Sequence, residues 1–151
     1  MTLNIKKNKI YLIAEIGVNH NGKLYLAKKL IKLAKKSGAD AVKFQNFTAE
    51  KLVTKKAKKA HYQLKNTNKL ETQYKMLKKL ELKEKDFFVL KKYAKKNKID
   101  FISSAFDHDS VDFLIKKLNL DIIKIPSGEV SNYLTLNKLN FYKYKILLSS
   151  G

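Results

Sequence analysis

The sequence predicts an α/β protein built on a parallel β-sheet, and a repeat carries that prediction. Three segments align on an aspartate: Lys-Ser-Gly-Ala-Asp40-Ala-Val-Lys43-Phe, Lys-Asn-Lys-Ile-Asp100-Phe-Ile-Ser103-Ser and Lys-Leu-Asn-Leu-Asp121-Ile-Ile-Lys124-Ile. Each closes a helix-like stretch ending in lysines and opens a short run of β-branched or aromatic residues. A helix-then-strand unit repeated along a chain implies strands that run parallel, joined by right-handed crossovers.

The elements follow in order. Tyr11–Gly17 reads as the opening strand. Asn19, His20, Asn21 and Gly22 form the turn after it, with Asn21 and Gly22 as plain turn chemistry. His20 is open between supporting a site and having no role in one. Leu26, Ala27, Leu30, Ile31, Leu33 and Ala34 keep helical spacing, and Gly38 stops that helix before Asp40. The stretch 49–84 is long for a crossover connection, a length that often carries function. Before Asp121, Val111, Leu114, Ile115 and Leu118 again keep helical spacing, with Asp107 or Asp109 as N-cap. Residues 145–150 supply a fifth strand.

Composition limits the functional classes. All 33 basic residues are lysine and the net charge is +20. Nucleic-acid recognition favours arginine for its bidentate contacts, so pairs such as Lys28-Lys29 and Lys91-Lys92 read as solvated helix faces. The residual role for the charge is to draw in anionic substrates. There is no cysteine, hence no disulfide framework or thiolate chemistry. No apolar run reaches the ~18 residues of a membrane span, and the first residues lack a signal peptide's apolar region. A cytoplasmic protein with no membrane or nucleic-acid partner is expected. His61 and His108 read as exposed loop or helix-start residues.

Strand periodicity leads toward chemistry. Residues three past each aspartate, Lys43, Ser103 and Lys124, should share one face. Lysines within apolar strand ends are costly to bury unless an anion meets them. Two readings are open: an anionic ligand at the carboxyl ends of the strands, or pairing with carboxylates such as Glu15 or Glu129.

Taken together and in order, three motifs make the sequence resemble the sialic acid synthase family, which includes the N-acetylneuraminate and legionaminate synthases. They are Ile-Ala-Glu-Ile-Gly-Val-Asn-His-Asn-Gly at 13–22, Ser-Gly-Ala-Asp-Ala-Val-Lys-Phe-Gln at 37–45 and Ile-Pro-Ser-Gly-Glu at 125–129. The resemblance implies a TIM-type (β/α) barrel, here its N-terminal portion with about five of eight βα units. It implies condensation of phosphoenolpyruvate with an N-acylated amino-sugar aldehyde of the N-acetylmannosamine type, giving a nonulosonic acid and phosphate. Carried over residue by residue, it implies Glu15 and Glu129 as active-site carboxylates. Lys43, Ser104, Lys124, Ser127 and Ser149 would bind phosphoenolpyruvate, and Gln45 would face the sugar, with Asn66 or Asn68 as a further sugar contact. Ser104 and Ser150 stand where threonine is usual in the family, and Ala105 where proline is common.

The resemblance also implies a divalent metal, Mn²⁺ or Mg²⁺, whose histidine ligands come from later strands, and a homodimer when the enzyme is complete. An eight-stranded barrel typically takes ~250 residues, so 151 residues are expected to lack the second half of the barrel, leaving interior side chains such as Ile123 and Ile125 open to water, and to lack the family's C-terminal antifreeze-like domain. The alternative is an inactive fragment or scaffold that keeps the fold without the metal-binding half.

Overall fold

The computed structural model describes residues 10–59, 71–139 and 143–150. Five strands form one parallel sheet in the order β1-β2-β3-β4-β5: Ile13–Gly17, Ala41–Asn46, Asp100–Ala105, Ile122–Ile125 and Lys145–Leu148. Each strand pairs with its predecessor in sequence. A doubly wound sheet would reverse direction part-way across, whereas an order that only advances is that of a barrel wall.

The helices account for the repeat. Helix α1 (Leu24–Lys36) buries Ala27 and Ile31 against the sheet and turns its lysines outward. A short α2 (Ala49–Leu52) and α3 (Gln73–Leu80) lie in the long connection, and Thr72 caps α3 by accepting from the Lys75 N–H. Helix α4 (Glu84–Lys96) buries Phe87, Leu90 and Ala94. Helix α5 (His108–Asp112) runs on into a π-helical stretch, Phe113–Lys117. Its N-cap is Asp107, which accepts from the Asp109 and Ser110 amides at 3.0 and 2.9 Å. Asp109, the other expected cap, instead pairs with Lys51 on the surface. A 3₁₀ turn at Ser127–Glu129 precedes a one-turn helix α6 (Tyr133–Leu136).

The aspartates of the repeat mark the entry to the strands. Two residues before each, the chain adopts a left-handed backbone: Gly38 at φ 89°, Lys98 at φ 54° and Asn119 at φ 52°. That conformation ends a helix and sends the chain back toward the sheet. The aspartates then tie neighbouring strands. The Asp40 carboxylate accepts from the Leu12 amide at 2.8 Å, and its carbonyl accepts from the Asp100 amide at 2.9 Å. Tyr11 donates its hydroxyl to the Asp100 carboxylate, and the Asp121 carbonyl accepts from the Lys145 amide at 2.9 Å.

Two apolar layers result. The larger lies between sheet and helices and includes Phe44, Ile123 and Ile125 with Ile31, Leu90 and Leu114. The smaller lies on the opposite face, where Ala41, Ile102 and Ile122 pack with Tyr11, Ile13 and Leu147. This corrects the expected interior set: Ile123 and Ile125 are fully buried beneath the helices, and Ile102, Ile122 and Leu147 line the inner face. Ser103 is also displaced from its expected face. Strand β3 is paired one residue out of step with the count from the aspartates, so Lys43 sits opposite Ile102 and Ser103 opposite Phe44. Staggered register of this kind is inherent in strands that tilt around a barrel. Ser103 faces the helices, its hydroxyl directed to the Phe44 and Ser104 carbonyls.

Candidate active site

The inner face becomes polar toward the carboxyl ends of the strands. Residues in register in a parallel pair point to the same side, and the pairs here are Glu15 with Lys43, Gln45 with Ser104, and Ser104 with Lys124. Lys124 in turn lies opposite Leu147 in β5, and Ser149 follows two residues on. Glu15, Lys43, Gln45, Ser104, Lys124 and Ser149 therefore form one band above the apolar floor of Ile102 and Ile122. The hydroxyl predicted to accompany the lysines is supplied by Ser104, not Ser103.

The two lysines are held differently. Lys43 forms an ion pair with Glu15, the lysine side chain 14% exposed and the glutamate 49%. One of the two open sequence readings, carboxylate pairing, thus applies to Lys43. Lys124 has no carboxylate partner among the described residues. Its ammonium donates to the Ile125 carbonyl at 2.7 Å and to Ser149 Oγ at 2.6 Å. Burial lowers its pKa, the positive charge of Lys43 lowers it further, and Glu15 acts weakly in the opposite sense. An ammonium has three donors, so two neutral acceptors leave capacity for an anion. Ser104 is buried, and its hydroxyl belongs to the same band.

The turn after β4 carries the second carboxylate. Ser127 is exposed and Glu129 half-buried, both on the 3₁₀ turn that the Pro126 carbonyl closes by accepting from the Glu129 amide at 2.9 Å. Asn132 Nδ2 donates to Glu129 Oε2 at 2.8 Å. Asn66 and Asn68 lie outside the described residues.

Four features near the band were not read, or read too weakly, from sequence. Strand β1 has a bulge between Glu15 and Gly17. Gly17 has φ +52°, and a Cβ there would lie 3.2 Å from Glu15 Oε1 and 3.5 Å from Gln45 Nε2. The glycine thus serves both the backbone and the space beside Glu15. Gly22 is more than turn chemistry: at φ +68° its backbone lies against the Lys79 carbonyl, where any side chain would clash. His20 is 1% exposed, stacks on Phe44 and accepts the Gly22 amide on Nδ1 at 3.1 Å. Burial lowers its pKa, with the Gly17 backbone pulling the other way. The ring is therefore neutral, with Nδ1 holding the Gly22 amide and the buried Nε2 without a hydrogen-bond partner among the described residues. Asn132 had a legible signal, an N-cap residue ahead of Tyr-Leu-Thr, but its reach to Glu129 depends on the turn's conformation.

Among the described residues no group of three His, Cys, Asp or Glu is placed to hold a metal ion. No described helix is long and apolar enough to cross a membrane.

A family model, that of the NeuB family, matches residues 30–151. The chain belongs to the NeuB family. It is 53% identical over 143 residues to N,N'-diacetyllegionaminic acid synthase of Campylobacter jejuni, a match covering 95% of this chain and 42% of that protein. To the protein of the same name from Legionella pneumophila it is 50% identical over 141 residues, covering 93% and 39%. Among solved structures it matches N-acetylneuraminic acid (sialic acid) synthetase from Leptospira borgpetersenii serovar Hardjo-bovis, determined in complex with citrate. That match has a TM-score of 0.79 at 30% identity and covers all of this chain and 49% of the other. The chain spans about two fifths of the length of the curated relatives it matches. The three relatives named are thus two N,N'-diacetyllegionaminic acid synthases and a sialic acid synthetase.

Proposed function

We propose that this chain forms the N-terminal wall of a (β/α) barrel that condenses phosphoenolpyruvate with an N-acylated amino-sugar aldehyde, releasing phosphate. The single observation that carries this reading is the inner-face band. Lys124, lacking a carboxylate partner among the described residues, stands in register with Ser104 and bonded to Ser149, and Lys43 stands two strands away. Phosphoenolpyruvate bears a phosphate and a carboxylate, and cations with hydroxyl donors in a partly dry site offset both. In the reaction C3 of phosphoenolpyruvate forms a bond to the aldehyde carbon, whose oxygen becomes the new hydroxyl. The cation left at C2 takes up water, a carboxylate receives that water's proton, and the C2–O bond to phosphate then breaks to leave the ketone. Glu129 suits this role better than Glu15. Its described partner is a neutral amide, so its charge is available to a developing cation, whereas Glu15 is engaged by Lys43. Gln45, beside Glu15, would face the sugar.

The two curated relatives named above support N,N'-diacetyllegionaminic acid as the product type, hence a diacetylated sugar in preference to N-acetylmannosamine. A requirement for Mn²⁺ or Mg²⁺ belongs to the same proposal, with ligands from outside residues 1–151, as do a homodimeric state and a cytoplasmic location. The test is phosphate release in the complete synthase with phosphoenolpyruvate, sugar and metal, each omitted in turn. Release is expected only when all three are present. Equal release without sugar would overturn the condensation reading, and undiminished release after chelation would overturn the metal requirement.

A further inference from the structure

We propose that Asn132 is the positioning residue for Glu129, an inference that rests on the role given to Glu129 above. Glu129 ends a 3₁₀ turn whose start is set by Pro126 at φ −71°, but its side chain has three freely rotating bonds and emerges half-exposed. Asn132 removes that freedom with a single amide group. Its Nδ2 donates to Glu129 Oε2 at 2.8 Å, its Oδ1 accepts from the Thr135 amide at 3.2 Å as the N-cap of α6, and its own amide donates to the Glu129 carbonyl at 3.0 Å. Because Oδ1 is committed to the helix, the amide plane is fixed and Nδ2 must point where it does. Asparagine carries the acceptor for the cap and the donor for the carboxylate on separate atoms of one rigid plane, which the single hydroxyl of serine or threonine does not. The choice of a neutral donor also matters chemically. Lysine, as at Glu15, would neutralise the carboxylate, while an amide orients it and leaves its negative charge to act on the reacting carbons.

The test is a double-mutant cycle in the complete synthase, reading kcat, KM for phosphoenolpyruvate and the melting temperature for Asn132→Ser, Asn132→Asp, Glu129→Gln and the pair Asn132→Ser with Glu129→Gln. Serine retains an N-cap oxygen but cannot reach Glu129 with a donor, and aspartate retains the cap while facing Glu129 with a like charge. The expected result is a kcat loss of about tenfold for Asn132→Ser with KM changed less than about threefold, and a larger kcat loss for Asn132→Asp. In the Glu129→Gln background Asn132→Ser should cost no further kcat. Equal proportional losses in both backgrounds would overturn the positioning role, as would wild-type kcat in Asn132→Asp. Wild-type kcat in Glu129→Gln itself would instead overturn the reading of Glu129, and this inference with it.

Discussion

Replacing Lys124 by methionine should separate ligand binding from folding. The substitution keeps most of the side-chain volume and removes the ammonium that holds the Ile125 carbonyl at 2.7 Å and Ser149 Oγ at 2.6 Å. For the ligand, the loss is one charge-assisted hydrogen bond, about 1.5–3 kcal/mol. At ~1.4 kcal/mol per tenfold, phosphoenolpyruvate affinity should fall by roughly one to two orders of magnitude. For the fold, two contributions oppose each other. The abandoned acceptors cost about 1 kcal/mol each at a partly solvated site, while relief of ammonium burial and of repulsion from Lys43 acts in the other direction. Stability should therefore change by no more than about 1 kcal/mol, within the range of ordinary substitutions. The pH dependence has a definite sign. The folded pKa of Lys124 lies below its unfolded value, so between the two the unfolded chain binds more protons and stability rises with pH. Over that window, below the ordinary lysine value, phosphoenolpyruvate affinity should fall as Lys124 loses its proton, and the methionine variant should lack both trends. Titration calorimetry with phosphoenolpyruvate and thermal melts of the complete synthase across pH measure these quantities. Unchanged affinity in the variant, or a stability loss above ~3 kcal/mol, would refute the assignment of Lys124 as a ligand cation.

Other outcomes follow from the same geometry. Glu129→Gln should lower kcat by at least about tenfold with KM for phosphoenolpyruvate within about threefold, the reverse of the Lys124 pattern, and steady-state kinetics on both variants would show it. Lys98→Gly should raise stability, since a side chain at φ 54° costs ~1–2 kcal/mol and glycine returns ~0.5–1 of that as unfolded-state entropy. A melting-temperature gain of about 1–4 °C is expected, with Lys98→Ala giving none of it. Residues 1–151 purified alone should self-associate, because the described sheet leaves β1 and β5 as edges with unpaired backbone groups. They should also bind Mn²⁺ weakly. Light scattering that shows a stable monomer, or micromolar Mn²⁺ affinity, would contradict this.

The alternation of helix and strand was legible because Asp40, Asp100 and Asp121 each follow a left-handed residue that ends a helix, and glycine or asparagine there is visible in sequence. Lys98 in that conformation was not, since nothing in its identity favours positive φ. The residues that share the inner face were reached through motif resemblance more than through periodicity. Counting from the aspartates put Ser103 beside the lysines, because the count assumes equal register and β3 is shifted by one residue. Ile123 and Ile125 were misplaced for another reason: they flank Lys124, and alternation along β4 turns them to the face opposite that lysine. The partner of Glu129 escaped because a hydrogen bond from Asn132 depends on side-chain rotamers, which carry no sequence period. Gly22 escaped because its constraint comes from Lys79, remote in sequence.

The advancing strand order also bears on how the molecule comes into being. Each of β2 to β5 pairs with the strand immediately before it, so no contact in the sheet waits for a segment further along than the next βα unit. Loop closures of that length are cheap relative to those of a Greek key or a doubly wound sheet. The ion pair of Glu15 with Lys43 spans the first two strands, Ser104 adds the third and Lys124 the fourth. The apolar floor under them is assembled one row at a time from Ile13, Ala41, Ile102, Ile122 and Leu147. The polar inner-face band is thus built from neighbours in the chain, each strand offering the edge that its immediate successor pairs with.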